Sequence, residues 1–237
     1  MNTIQIETND PNIQNRIKEL ARPHFLRMCP CVGTEKERRV QENILLERME
    51  KCSGIPMPKI ICTAYEKGTI EQELLCVENR TFPCHGLFFG KKDVKLEKVF
   101  LYGMCIPESD GSLELDFLEE FYRDCYMTAL LDGAREWMRE YLSANWNISI
   151  SAPFGPGFFG MGMEYIPTIL ELIDGNSIGL KEYHGALNPA KSSIGFFLAV
   201  PSGESYAAGD CNHCLGRGQN CMFCMNHTIG NKAMPRT

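Results

Sequence analysis

The sequence predicts an α+β protein: a mainly antiparallel sheet with flanking helices, followed by a metal-binding C-terminal tail. Three observations support this. A long helical pattern runs from about Leu115 to Leu142, with Leu118, Phe121 or Tyr122, Cys125, Ala129 and Trp137 or Met138 on its apolar face. The apolar, β-branched stretches do not alternate with helices as βαβ units, which favours antiparallel pairing. After Pro201 the large apolar residues give way to glycine and cysteine.

Taken in order, Val40, Ile44, Leu45 and Met49 recur among charges from Glu35 to Cys52, the pattern of an amphipathic helix that Ser53-Gly54 and Pro56 stop. PKIICTAY and GTIEQELLCVEN are expected as a strand hairpin about Lys67-Gly68. KVFLYGMCI is a further strand, ended by Pro107. Beyond the long helix, WNISISAP reads as a strand, PFGPGFFGMG as a glycine-rich turn, and Tyr165 to Asp174 as a short helix with Pro167 in its first turn. SSIGFFLAV completes the set as a buried strand. The division that follows is an N-terminal extension over 1–34, an α+β domain over 35–200 and a cysteine-rich tail over 201–237.

With 237 residues, 44% hydrophobic and 23% charged, the chain is long and apolar enough for one substantial core. A net charge of -6 argues against a nucleic-acid partner, since phosphate binding needs a basic face. No apolar run approaches a membrane span, and the N-terminus lacks the pattern of a secretion signal, so a cytoplasmic location is expected. In that reducing compartment the 12 cysteines would not form a disulfide framework. Cys62, Cys76, Cys105 and Cys125 lie in apolar neighbourhoods and read as packing residues, and Cys29-Pro30-Cys31 is left unassigned.

The sharpest chemical signal is DCNHCLGRGQNCMFC. Cys211, Cys214, Cys221 and Cys224 form two Cys-x-x-Cys pairs, and Gly216 and Gly218 permit the bends that would bring the pairs together. Four soft thiolates select iron–sulfur clusters or zinc over hard cations. The short connection between the pairs favours an iron–sulfur cluster, 4Fe–4S foremost, with zinc as the alternative. His213 is read as a neighbour of the cluster rather than a ligand.

The order of features from the long helix onward resembles the stand-alone relatives of the activation domain of cobalamin-dependent methionine synthase. The residues that carry the resemblance are Pro156-Gly157-Phe158, Leu170 to Asp174, Ile178-Gly179-Leu180, Pro189-Ala190-Lys191-Ser192 and Ile194 to Val200, followed by the four cysteines. The resemblance implies a twisted antiparallel sheet and a cleft for S-adenosylmethionine. In that family an arginine and a Gly-Tyr backbone hold the ligand while its methyl group passes to reduced cobalamin. Here Phe158 stands at the tyrosine position and Pro153 at that of the arginine. On this basis Phe154, Gly155, Gly157, Phe158, Phe159 and Lys191 are the expected cleft residues, with Tyr183 and His184 as further candidates.

Two functions follow as expectations. One is an accessory protein for reductive reactivation of a corrinoid-dependent methyltransferase, using the cluster and S-adenosylmethionine against a corrinoid carried by a partner protein. The other is a non-catalytic interaction module in which zinc or an iron–sulfur site staples the tail.

Overall fold

A computed structural model describes residues 2–6, 8–89, 91–108, 116–208 and 213–215. The chain begins with β1 (Asn2–Ile6), α1 (Pro11–Met28) and α2 (Glu35–Lys51). Strands β2 (Lys59–Tyr65), β3 (Gly68–Glu71), β4 (Leu74–Val77), β5 (Arg80–Pro83), β6 (Val94–Leu96) and β7 (Val99–Cys105) follow. Then come α3 (Phe117–Trp146), α4 (Ile166–Ile173), β8 (Lys181–Tyr183), β9 (Ala186–Asn188) and β10 (Ser192–Leu198).

The α+β expectation is met, with every strand pair antiparallel. The central sheet has the order β1-β2-β7-β10, a second sheet the order β5-β4-β3-β6, and β8-β9 is a separate hairpin. β7 is buried along its whole length because the central sheet is covered on both faces. Alternation sorts its side chains: Phe100, Tyr102 and Met104 join the core beneath α1 and α3, whereas Val99, Leu101 and Cys105 face α4 and the second sheet. β2 divides in the same way, with Ile60, Cys62 and Ala64 toward the helices and Ile61 and Tyr65 away from them. Three layers result, with a core on either side of the central sheet.

Residues 2–6 and 8–34, within the stretch 1–34 read from sequence as an extension, contribute to this architecture. β1 is an edge strand paired with β2 in the register Ile4↔Cys62. α1 is capped by the Asp10 side chain, which accepts from the Asn12 N–H at 2.8 Å, and it carries proline in its first turn. Its buried Ile17, Ala21 and Phe25 recur every fourth residue and pack on α3. Full burial of Phe25 alone contributes roughly 1.5–3 kcal/mol. α1 approaches α3 at Gly133, where a Cβ would stand 2.5 Å from the Ile17 carbonyl oxygen and 2.7 Å from the Ala21 nitrogen. Only glycine admits this contact.

Two strand expectations are corrected. The hairpin lies within GTIEQELLCVEN, as β3 and β4 turning at Gln72-Glu73, both at positive φ, while β2 leaves for the central sheet. WNISISAP is not a strand. Its Trp146 is the last residue of α3, its Asn147 is the left-handed cap, and the rest meets its neighbours through a single Ile150↔Ala199 bridge and bonds such as Ser151 N–H to the Leu198 carbonyl at 2.9 Å. Pro153 then removes a donor that a continued ladder would need.

Candidate functional site

The turn after α3 lies flat against β10. Phe154 and Phe196 exchange backbone hydrogen bonds of 3.2 and 2.7 Å. At Gly155 a Cβ would come within 2.7 Å of the Ile194 carbonyl oxygen, and at Gly195 one would meet the Phe154 carbonyl. These two glycines therefore serve the close approach of two backbones, and that approach forms one wall of a cleft.

The cleft has a volume of about 380 Å³, at the low end of the range of roughly 300–1,000 Å³ usual for small-molecule sites. Phe154, Gly155, Pro156 and Phe158 of the turn form one wall, with Ser192, Ser193 and Ile194 of β10 and Tyr102 of β7 beside them. The opposite wall is charged: α3 supplies Asp132, Arg135, Glu136 and Arg139, and α1 supplies His24. Spacings of three and four residues put the α3 charges on one stripe, and the close α1–α3 seat at Gly133 brings His24 over them.

The charged wall is internally paired. His24 Nε2 lies 2.8 Å from Glu136 Oε1, its Nδ1 lies 2.8 Å from an Arg27 nitrogen, and Asp132 Oδ2 is 3.6 Å from Nδ1. Both His24 and Asp132 are mostly buried, at 14% and 15% side-chain exposure. Arg135 pairs with the other oxygen of Asp132. Arg139 is spent on the scaffold, donating to the Ile150 carbonyl and the Tyr206 hydroxyl, each at 3.1 Å. One apolar, partly aromatic wall thus faces one wall of matched opposite charges, an arrangement suited to a zwitterion with an aromatic group.

Of the six cleft residues expected from sequence, Phe154, Gly155 and Phe158 line the cleft. Gly157 and Phe159 form the back of the turn instead. Phe159 is buried, edge-on to Phe154 at 5.9 Å. Lys191 points away, its ammonium 2.7 Å from Asp124 Oδ1 and 2.9 Å from Thr128 Oγ1 of α3. Tyr183 and His184 belong to the β8–β9 hairpin and are not among the lining residues. The residues that sequence reasoning missed are His24 and the α3 charges. The α3 residues show in the sequence only as charges spaced three and four apart, which by itself reads as a solvated face, and His24 carries no signal of its own.

Of the four cysteines, Cys214 lies within the described residues, and Cys211, Cys221 and Cys224 lie outside them. Residues 213–215 dock on the back of the glycine-rich turn. Leu215 N–H donates to the Gly157 carbonyl at 2.7 Å, Phe159 N–H donates to the His213 carbonyl at 3.2 Å, and the His213 ring stacks on Phe159 at 4.8 Å. Among the described residues no group of three or more His, Cys, Asp or Glu converges as a metal site. Cys62, Cys105 and Cys125 are buried and Cys76 is partly exposed, in keeping with packing roles for the first three. Among the described residues no helix is long and apolar enough to cross a membrane.

No protein-family model matches the chain, and no curated protein matches it. Among solved structures, the chain is similar to a crystal structure of the MetH reactivation domain bound to AdoHcy, with 15% identity over 87% of this chain and 80% of that chain, at a TM-score of 0.49. The chemistry of the cleft is accordingly argued from its own residues.

Proposed function

We propose that the chain is an accessory protein of a corrinoid-dependent methyltransferase system that binds S-adenosylmethionine in the cleft between the glycine-rich turn and α3. The observation that carries this reading is the pairing of an aromatic, glycine-lined wall with a wall of two guanidiniums and two carboxylates. S-adenosylmethionine offers a carboxylate, an ammonium, a sulfonium and a flat adenine, and each has a counterpart here: Arg135 for the carboxylate, Glu136 for the cations, and Phe154, Phe158 and Tyr102 for the ring. The arginine absent at Pro153 is replaced in this reading by Arg135 of α3.

The tail adds a redox role. Cys211, Cys214, Cys221 and Cys224 are the donor set for an iron–sulfur cluster, which would supply one electron to an oxidised corrinoid on the partner. The docking of His213, Cys214 and Leu215 on the turn supports a connection between tail and cleft. The same docking favours a second reading, in which a structural zinc or cluster staples the tail and stiffens the turn without electron transfer.

Calorimetry with S-adenosylmethionine and S-adenosylhomocysteine tests the cleft, and absence of heat at millimolar ligand refutes it. Iron and sulfide analysis of protein purified without oxygen, with its visible spectrum, tests the tail. A colourless protein holding one zinc removes the electron-transfer role and leaves the staple.

A further inference from the structure

The charged wall holds a feature that ligand shape alone does not require. Arg27 can only donate hydrogen bonds, so His24 Nδ1, 2.8 Å from its nitrogen, is the acceptor. The ring is then neutral, with its proton on Nε2, donated to Glu136 Oε1 at 2.8 Å. Asp132 lies 3.6 Å from Nδ1 and 4.0 Å from Arg27, and its other oxygen holds Arg135. Asp132 is the only partner of Arg135 among the described residues, whereas Arg139 is fixed by the Ile150 carbonyl and the Tyr206 hydroxyl.

We infer that Arg135 is the carboxylate-binding group of the cleft and that His24 decides when it is available, by exchanging Arg27 for Asp132 on protonation. This inference rests on the cleft being a ligand site, as proposed above. A proton on Nδ1 would point at a guanidinium 2.8 Å away, so Arg27 leaves and the N–H turns to Asp132. Asp132 then shares its charge between imidazolium and guanidinium. Arg135 keeps less of its counter-ion, and the wall gains one positive charge.

The titratable and charged groups that face His24 are Arg27 on its own helix and Asp132, Glu136 and Arg135 on α3. The opposite wall contributes Tyr102, Ser192 and Ser193, none of which changes charge in the relevant range. The sign follows directly. Neutral His24 leaves Asp132 to Arg135 and opposes carboxylate binding; charged His24 favours it. Binding is therefore tighter at the lower of two test conditions, about pH 8 and about pH 5.5.

The test uses the full chain and S-adenosylhomocysteine as the probe. Affinity of the unaltered protein should rise about tenfold between those two pH values, a modest share of what a charge-assisted hydrogen bond contributes. His24→Gln keeps a donor for Glu136 but cannot titrate, and its affinity should be flat with pH. Arg135→Lys keeps the charge and loses the fork, and should weaken binding about tenfold or more at the lower pH. The same pH slope in His24→Gln, or unaltered affinity in Arg135→Lys, overturns the inference while leaving the cleft as the ligand site. If the probe does not bind at any pH, the reading of the cleft fails instead. The switch is then decided by nitrogen NMR: a proton on His24 Nδ1 at pH 8, or an Arg135 Nε signal that does not follow the His24 titration, overturns it.

Discussion

Gly133→Ala reads the α1–α3 seat through the sign of its effect. In an ordinary helix interior, replacing glycine by alanine gains about 0.8–1 kcal/mol from propensity. At this position the new methyl would stand 2.5 Å from the Ile17 carbonyl oxygen and 2.7 Å from the Ala21 nitrogen, backbone atoms that no rotamer change can move. Overpacking of this kind costs about 1–3 kcal/mol, and contact with two backbone atoms places it in the upper half of that range. The net expectation is a loss of about 1–2 kcal/mol, read as a lower urea midpoint with an unchanged slope. The displacement also separates His24 from Glu136, which are 2.8 Å apart, so ligand affinity in the cleft should fall in the same variant. A Gly133→Ala protein more stable than the parent by about 1 kcal/mol would refute the close seat and the placement of His24 on the cleft wall.

Three further predictions follow. At Gly195 an added methyl would meet the Phe154 carbonyl, so Gly195→Ala should lift the turn from β10 and abolish ligand heat in calorimetry while far-ultraviolet circular dichroism is preserved. The Glu37 carboxyl is held below its ordinary range by the Thr34 backbone N–H and hydroxyl in the capping box of α2. Its stabilisation is therefore complete above the unfolded value and disappears as pH falls through the folded one; Thr34→Ala, which keeps the backbone N–H and loses the hydroxyl, should reduce this acid-limb dependence without abolishing it, and loss of the cap should cost about 1 kcal/mol in denaturant titrations. Burial pushes the Cys29, Cys62 and Cys84 thiols up to about 12, so these three should resist iodoacetamide at pH 8 in the folded protein and react after unfolding, as mass spectrometry of digests would show.

Much of the fold was legible because its longest elements carry unmixed signals. α2, β2, β7, α3, α4 and β10 fall where periodicity and apolar runs put them. α1 was not read, although Ile13, Ile17, Ala21 and Phe25 keep helical spacing, because Pro23 interrupts the pattern. The packing on α3 compensates for the bond that Pro23 removes, and a local reading does not include that packing. β2 and β3 are adjacent in sequence yet belong to different sheets, a choice made by long-range burial that no turn signal encodes.

The cleft divided along the same line. Its glycine-rich wall was visible because glycines at close backbone approaches leave a mark in the sequence. Its charged wall was not, since Asp132, Arg135 and Glu136 look like any exposed stripe until α1 covers them. Lys191 was misdirected for a related reason: a lone cation beside the turn takes whichever carboxylate lies nearest, and that is Asp124 on α3.

One wall of the cleft depends on an imidazole from the first helix, and the other is backed by residues 213–215. A polypeptide emerging from the ribosome therefore has no finished pocket until residue 215 has been synthesised. Ligand occupancy would then report that the first helix and residues 213–215 are both in place, and a chain cut after β10 would lose it while keeping all four strands of the central sheet.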